Sequence, residues 1–193
     1  MPDSNEVWRL FIAIELPTEV RYKIRAHIDK LRSELPGVRA SWTREENLHL
    51  TMKFFGDVPV AQVESISAAA AHAVTFSHPF ELIIGGCGAF PPKGQPRVLW
   101  IGTEDPSGSL RTLHTALEDE CANIGFSREQ RSYHPHLTIA RLRQPRGARE
   151  LANLHESTGF DSLTVRVEDV CLIRSELSSK GSRYTTISRH VIR

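Results

Sequence analysis

The chain of 193 residues repeats one strand, helix and tripeptide order at a nearly constant spacing. The equivalent positions are Arg9 and Arg97, Pro17 and Pro106, and His49 and His136, which are 88, 89 and 87 residues apart. A spacing this constant indicates an internal duplication, with both copies packed in one domain. Because two copies are too few for a solenoid, the sequence predicts one bilobal domain over residues 1–193, with half-repeats at roughly 8–56 and 96–142.

Apolar periodicity and turn residues predict the elements of each copy. Strands are predicted at 10–14, 48–55, 80–84, 98–101, 136–142, 163–173 and 183–192, and helices at 20–35, 63–74, 107–124 and 148–155. Loops are predicted at 41–47, 56–57, 85–88, 91–94 and 127–135, and a turn at 178–181 joins the last two strands as a hairpin. We expect an α+β fold of two similar lobes, each an antiparallel sheet with outer helices, related by a pseudo-twofold duplication around a central cleft.

Composition narrows the class of protein. The 24 Lys and Arg residues nearly balance 23 Asp and Glu, which argues against a generally basic coat for nucleic acid but leaves room for a local patch. The cysteines (Cys87, Cys121 and Cys171) lie far apart, so we expect neither a zinc site nor a disulfide framework. The first six residues include two acids and no basic residue, whereas a signal peptide begins with basic residues. No apolar run approaches the ~18 residues that span a bilayer. We expect a soluble, cytoplasmic monomer.

The tripeptide His-Leu-Thr carries the chemistry. Chance predicts about 0.05 copies in a chain of this composition, and there are two. Alternate side chains of a strand share a face, so His49 and Thr51 point the same way, as do His136 and Thr138. If the lobes face each other, these four side chains converge on one cleft. A lone strand histidine is usually structural, but packing alone does not require His-x-Thr twice. The other histidines are predicted to be surface or cap residues: His27, His72, His78, His114, His134, His155 and His190.

Two imidazoles that titrate near neutrality supply the base and the acid that hydrolysis of a cyclic phosphodiester requires. One deprotonates water and the other protonates the departing ribose oxygen, while threonine hydroxyls bind the non-bridging oxygens. Two strand histidines without a nearby carboxylate or cysteine make an incomplete zinc site, so we expect no metal and no other cofactor. The near symmetry of the two half-sites leaves open which histidine is the acid.

The two His-x-Thr-x motifs resemble the signature of the 2H phosphoesterase superfamily. Segments 9–17, 49–56, 136–141 and 175–184 are similar to its bacterial RNA 2′,3′-cyclic phosphodiesterase branch, historically called 2′-5′ RNA ligase. This resemblance spans nearly the whole chain. It implies metal-independent hydrolysis of RNA 2′,3′-cyclic phosphate ends to 2′-phosphomonoesters, and it leaves open whether the enzyme also works in the direction of 2′-5′ RNA ligation.

The resemblance also implies a role for each site residue. His49 would be the proton donor to the leaving 3′ oxygen, and His136 the base that activates water. Thr51 and Thr138 would hold the phosphate. The family also uses an arginine five residues after the second histidine, which is Arg141 in this chain. Strand alternation places Arg141 on the face opposite His136 unless the strand ends or bulges first.

A local excess of arginine favours RNA as the partner. Between positions 128 and 149 the one acid is Glu129, and the arginines are Arg128, Arg131, Arg141, Arg143, Arg146 and Arg149. The alternative is a solvated loop beside an acidic neighbour. Phe55 shares strand parity with His49 and could stack a base, although a core role is favoured.

The expected partners are RNA with 2′,3′-cyclic phosphate ends, either tRNA-like or a short oligonucleotide, or a nucleotide, and no membrane. Two alternative functions stay open. One is a 2H phosphodiesterase that acts on 2′-5′ linkages or small cyclic nucleotides. The other is a catalytically silent module that binds nucleotides or RNA, although pure binding does not need two proton-transfer groups.

Overall fold

The computed structural model describes residues 6–179 and 181–193. The strands are β1 (Val7–Glu15), β2 (Ser41–Trp42), β3 (His49–Pro59), β4 (Phe80–Phe90), β5 (Val98–Glu104), β6 (His136–Arg141), β7 (Leu163–Val167), β8 (Asp169–Ser178) and β9 (Gly181–Val191). The helices are α1 (Thr18–Glu34), α2 (Val63–Ala73), α3 (Ser109–Asn123) and α4 (Ala148–Thr158). Residues 1–5, within the acidic start of the chain, and Lys180, within the predicted hairpin turn, lie outside the described residues.

Two antiparallel sheets confirm the predicted α+β fold with two similar lobes. The first sheet has the strand order β3-β1-β8-β9, and the second has the order β2-β6-β5-β4-β7. The first strand of each copy, β1 or β5, has two neighbours in its sheet. One of them is the strand that carries the His-x-Thr motif, β3 or β6. The repeated pairing of β1 with β3 and of β5 with β6 is the structural form of the duplication.

The two copies interlock through a shared core. Helix α1 begins directly after β1 of the first sheet, yet it contacts α4, which packs on β4 of the second sheet. Strand β2, from the first copy, pairs with β6 of the second. The apolar stripe of α1 (Val20, Ile24, Ile28 and Leu31) is buried at the predicted spacing, and it belongs to one hydrophobic cluster that includes residues of both copies.

The glycine-rich loop predicted at 85–88 is wrong, because β4 continues through it to Phe90. A side chain at Gly88 would overlap the ring of Trp100 on the neighbouring strand, so this position must be glycine. Gly86, with φ +69°, forms a bulge between Gly85 and Cys87. The glycines therefore serve close strand packing and a bulge rather than chain reversal.

Two further strand boundaries differ from the predictions. The predicted strand 163–173 is two strands that separate at Glu168, with β7 paired to β4 and β8 paired to β1. The apolar pattern continues across this break, so periodicity does not reveal it. Gly56 does not end β3, because the strand continues to Pro59. The φ of +77° at Gly56 occurs beside a shift in the register between β1 and β3.

The predicted connection 41–47 contains strand β2 and a short 3₁₀ helix, Glu45–Asn47, while the connection 127–135 is irregular as expected. The hairpin between β8 and β9 is confirmed by the pairing of Ser178 with Gly181. The cysteines Cys87, Cys121 and Cys171 are free thiols. Within the described ranges, no helix combines the length and apolar character that a membrane span requires.

Candidate active site

A backbone carbonyl two residues earlier in the chain orients each motif histidine. Nδ1 of His49 donates to the carbonyl oxygen of Asn47 at 2.7 Å, and Nδ1 of His136 donates to that of His134, also at 2.7 Å. A neutral imidazole that donates through Nδ1 has its unprotonated nitrogen at Nε2. Asn47 and His134 are themselves 87 residues apart, so the duplication preserves the tautomer as well as the histidine.

The same bulge follows the histidine in both copies. The pairing of β1 with β3 skips Met52, and the pairing of β5 with β6 skips Ile139. A bulge reverses the alternation of side chains beyond it. Ile139 and Ala140 are consequently both buried, and Arg141 is exposed on the side of His136. Simple alternation places Arg141 on the opposite face, but the strand does bulge before Arg141.

His49, His136 and Arg141 share one electrostatic environment, at the place where strands β3 and β6 contact each other. Burial is the largest influence on His49 and lowers its pKa, and the positive charges of Arg141 and His136 lower it further. The hydrogen bond to Asn47 and the carboxylate of Glu15 raise it, but the net shift is downward from 6.5. The pKa of His49 therefore favours a neutral ring at pH 7 in the free protein.

The motif threonines are half-buried, as are the two histidines. The hydroxyl oxygen of Thr51 lies 3.0 Å from Nε2 of His49. Thr138 shares the face of His136, and its carbonyl oxygen accepts a hydrogen bond of 2.8 Å from the hydroxyl of Thr43. The hydroxyl of Thr51 thus contacts the same imidazole nitrogen that would exchange a proton with a substrate.

Aromatic side chains flank both histidines. The ring centroid of His49 lies 4.8 Å from that of Phe11 and 5.4 Å from that of Tyr184. In the other lobe, the ring of His136 lies 5.1 Å from that of Phe90. Sequence reasoning missed these rings, because Phe11 is part of an apolar run and Phe90 follows the glycines that predict a loop.

Phe55 is not on the face of His49. The bulge at Met52 reverses the alternation before it, and the Phe55 ring packs against Phe126 with a centroid distance of 5.0 Å. The favoured core role of Phe55 is thus confirmed. Phe54 is 54% exposed instead, and it occupies the position in the first copy that Arg141 occupies in the second, 87 residues later.

The arginines between positions 128 and 149 are all exposed, but they differ in the groups with which they interact. Arg128 forms an ion pair with Asp119, which fits the alternative of an acidic neighbour. Arg149 donates to the carbonyl of Gly94. Arg141 is the member of the cluster whose charge acts on His49.

Two histidines that were predicted to be surface or cap residues are buried. His27 on α1 is 8% exposed and His155 on α4 is 0% exposed. They are hydrogen-bonded to each other although 128 residues separate them, which no sequence periodicity could show. In the part of the chain that the structure describes, they form with Cys87 a group of metal-ligating side chains that includes neither His49 nor His136.

Known proteins resemble the chain over nearly its whole length. The model of the 2′-5′ RNA ligase superfamily matches residues 20–178. An RNA 2′,3′-cyclic phosphodiesterase of Methanothermobacter thermautotrophicus is 36% identical over 178 residues, which are 92% of this chain and 95% of the relative.

Solved structures agree with that match. The crystal structure of TT0787 of Thermus thermophilus has a TM-score of 0.80 and 28% identity, and the match covers 96% of this chain and 98% of that one. Escherichia coli LigT complexed with 3′-AMP has a TM-score of 0.73 and 27% identity, over 97% and 99% of the two chains.

Proposed function

The chain belongs to the 2′-5′ RNA ligase superfamily, and on that premise we propose that it hydrolyses the 2′,3′-cyclic phosphodiester ends of RNA to 2′-phosphomonoesters. The observation that carries this proposal is the pair of histidines, His49 and His136, with identical backbone anchors and with Arg141 beside them. Such a pair supplies an acid and a base at one site.

The proposed reaction is an in-line displacement at phosphorus. Nε2 of His136 takes a proton from water as the water oxygen bonds to phosphorus. The bond from phosphorus to the 3′ oxygen breaks, and Nε2 of His49 gives its proton to that oxygen. One proton is gained by His136 and one is lost by His49, so exchange with solvent restores both rings. The 2′ oxygen keeps the phosphate.

The remaining site residues bind the phosphate in this proposal. Thr51 and Thr138 offer hydroxyl donors beside the two imidazoles, and Arg141 offers a guanidinium with paired N–H groups. These donors face the non-bridging oxygens, where negative charge must be stabilised in the transition state. The mechanism asks for no metal and no other cofactor at these residues.

The substrate itself supplies the condition for acid catalysis by His49. Burial and the charges of Arg141 and His136 lower the pKa of His49, which works against the protonated form that a donor needs. A phosphodiester anion beside Arg141 offsets this positive charge and raises the pKa of His49. Protonation of His49 is therefore coupled to binding of the substrate.

We propose further that the enzyme is a cytoplasmic monomer and one bilobal domain, with half-repeats at roughly 8–56 and 96–142. The core shared between the copies supports one domain. The proposed substrates are tRNA-like RNA or short oligonucleotides with 2′,3′-cyclic ends, or a nucleotide. The complex of Escherichia coli LigT with 3′-AMP supports the nucleotide.

The test is incubation of the purified protein with a short RNA that ends in a 2′,3′-cyclic phosphate, in the presence of EDTA, followed by mapping of the product end. We expect a 2′-phosphate. A 3′-phosphate would contradict the bond assigned to His49. Unchanged RNA together with tight binding would point to the silent binding module, and faster cleavage of a 2′-5′ dinucleotide or a small cyclic nucleotide would point to the related activity.

A further inference from the structure

A second cluster of reactive side chains lies apart from the two motif histidines. His27 of α1, Cys87 of β4 and His155 of α4 each offer one ligand atom, and these atoms lie within 4.8 Å of one another. The imidazoles contact each other directly, with 2.9 Å between Nε2 of His27 and Nδ1 of His155. The proposed mechanism makes no use of these groups.

The hydrogen bonds of His155 give it the orientation of a metal ligand. Its Nε2 donates to the carbonyl oxygen of Trp100 at 2.9 Å, so its unprotonated nitrogen is Nδ1, the atom that faces His27. Histidines that bind metal commonly donate their other N–H to a backbone carbonyl or carboxylate, which fixes the tautomer and the ring orientation. His155 has this arrangement, and the lone pair of Nδ1 accepts from His27.

The bulge in β4 directs Cys87 toward the two imidazoles. Ile84 faces the helix-covered core, and strict alternation would put Cys87 on the opposite face. The bulge at Gly86 reverses the alternation, so Cys87 pairs across the strands with the fully buried Ile101. Gly88 then pairs with Trp100 on the other face. A glycine that permits a positive φ thus brings a thiol to a buried histidine pair.

The cluster holds neutral imidazoles and lies near charges of both signs, because Lys30 acts on His27 and Glu156 acts on Cys87 and His155. Burial is the main cause that lowers the pKa of His27 to about 4, and burial also lowers the pKa of His155, so both rings are neutral at pH 7. The carboxylate of Glu156 acts electrostatically on both Cys87 and His155. Burial raises the pKa of the Cys87 thiol to about 12, so a bound cation is needed to stabilise its thiolate.

We propose that His27, Cys87 and His155 form a zinc site that joins α1, α4 and β4. Zinc would bond to Nε2 of His27, Nδ1 of His155 and Sγ of Cys87. The thiol proton leaves to solvent, and the ring proton of His27 moves from Nε2 to Nδ1. The mixture of thiolate and imidazole suits zinc rather than magnesium or calcium. Three protein ligands leave one coordination position open.

Small movements bring the ligand atoms to zinc geometry. Tetrahedral zinc, with Zn–N of about 2.0 Å and Zn–S of about 2.3 Å, requires about 3.3 Å between the nitrogens and about 3.5 Å from nitrogen to sulfur. The nitrogens, now 2.9 Å apart, must separate by about 0.4 Å, and the sulfur must move inward. The spacing of the cysteines and the two motif histidines give no sign of this site, because its ligands are 60 and 68 positions apart in the sequence.

The test is titration of EDTA-treated protein with Zn²⁺ and, as a spectroscopic probe, with Co²⁺. After gel filtration we expect one equivalent of bound zinc and a rise in Tm of about 5 °C. Cobalt should give a sulfur-to-metal charge-transfer band in the near ultraviolet. In Cys87→Ser, the band should disappear and the zinc-dependent rise in Tm should be lost. Cys87 is partly exposed, and circular dichroism checks that this variant folds.

The matched control is Cys121→Ala, which removes a buried thiol on α3 outside the cluster and should keep the band and the rise in Tm. Wild-type protein that retains no zinc overturns the proposal. Equal zinc binding by the wild type and Cys87→Ser overturns it too, since the thiol would then not be a ligand. His155→Gln provides a second check. The cobalt band should be lost in this variant if the imidazole of His155 is a ligand.

Discussion

At the scale of single residues, the two motif histidines differ in their surroundings more than in their sequences. Each is anchored by a carbonyl two positions earlier, yet the ring of His49 lies beside Phe11 and Tyr184, whereas the ring of His136 lies beside Phe90. Identical motifs can hence take different roles in proton transfer, because the environment rather than the residue type sets the protonation state.

Replacement of either histidine by alanine should lower kcat/KM for a 2′,3′-cyclic phosphate end by roughly a thousandfold or more, since one proton transfer is lost. Both side chains are only half-buried, so circular dichroism and Tm should change little. His72→Ala, at an exposed position on α2, is the control and should keep full activity. Near wild-type rates in both His49→Ala and His136→Ala would contradict the acid–base assignment.

A substrate with sulfur in place of the leaving 3′ oxygen distinguishes donor from acceptor. A thiolate leaves without protonation far more readily than an alkoxide does, so it removes the need for a general acid. With this substrate, His49→Ala should recover most of its lost kcat/KM, whereas His136→Ala should stay impaired. Rescue of His136→Ala alone would exchange the two roles.

Arg141 allows a test by pH. Its charge lowers the pKa of His49, so Arg141→Gln should raise that pKa. A donor is active only while protonated, so kcat/KM should persist to higher pH in the variant, and KM should rise because a phosphate contact is lost. Arg143→Gln, another exposed arginine, should leave the pH profile of kcat/KM unshifted. An unshifted profile in Arg141→Gln would mean that the guanidinium does not act on His49.

The sequence alone predicts the four motif residues but not their surroundings. His49, Thr51, His136 and Thr138 follow from a repeated tripeptide and strand alternation. The aromatic rings around them come from strands distant in sequence, and the pairing of His27 with His155 spans 128 positions. Contacts of this kind depend on which strands become neighbours, and local periodicity carries no information about that.

At the scale of secondary structure elements, bulges explain why simple strand alternation misplaces the side chains of Phe55 and Arg141. Alternation is reliable only while a strand stays regular, and each motif strand contains a bulged residue, Met52 or Ile139. These two are 87 residues apart, so the irregularity is itself repeated. A comparison of the two halves finds the equivalent positions, but an apolar residue gives no sign that it is bulged.

A buried ion pair fastens strand β3 to helix α3. Nζ of Lys53 lies 2.7 Å from a carboxylate oxygen of Glu118, and each residue is 6% exposed. Nζ also donates to the carbonyl of Ser127, and the backbone N–H of Glu129 donates to the same carboxylate. The pair thus holds the connection that leads to the second motif strand.

Replacing Lys53 alone should lower the free energy of unfolding more than replacing both Lys53 and Glu118 by uncharged residues. Lys53→Met leaves the carboxylate of Glu118 buried without its cation, so the free energy of unfolding should fall by about 3 kcal/mol. In the double variant Lys53→Met/Glu118→Gln, the amide oxygen can still accept from Glu129 without a buried charge, so part of the loss should be recovered. Urea unfolding at pH 7 measures both variants. Losses that simply add would show that the two groups are not coupled.

At the scale of the whole molecule, duplication has produced two sheets but not two separable halves. Helix α1 of the first copy lies against α4, which packs on the second sheet, and strand β2 of the first copy extends that sheet. The sequence predicts the repeat, because spacing is visible along the chain. It does not predict the exchange of elements between copies, since an apolar stripe packs equally well on either sheet.

The buried pair of His27 and His155 makes the stability of this shared core depend on pH. The pKa of His27 in the folded protein is about 4, lowered mainly by burial and also by His155 and Lys30, against 6.5 for the unfolded chain. Between these values the unfolded chain binds the extra proton, so stability is lost as pH falls from about 6.5 to about 4. Urea unfolding of the metal-free protein should show His27 contributing about 2 kcal/mol of the loss.

His27→Gln isolates that contribution, because a side-chain amide can still donate to Nδ1 of His155 but does not titrate. The variant should lose correspondingly less unfolding free energy between pH 7 and pH 4 than the wild type. The lowered pKa values of the other histidines give the same sign and should remain as a common background in both proteins; these are His49, His114, His155 and His190. Parallel pH dependences in the two proteins would show that His27 titrates alike in the folded and unfolded chain, and would remove it from the acid sensitivity of the core.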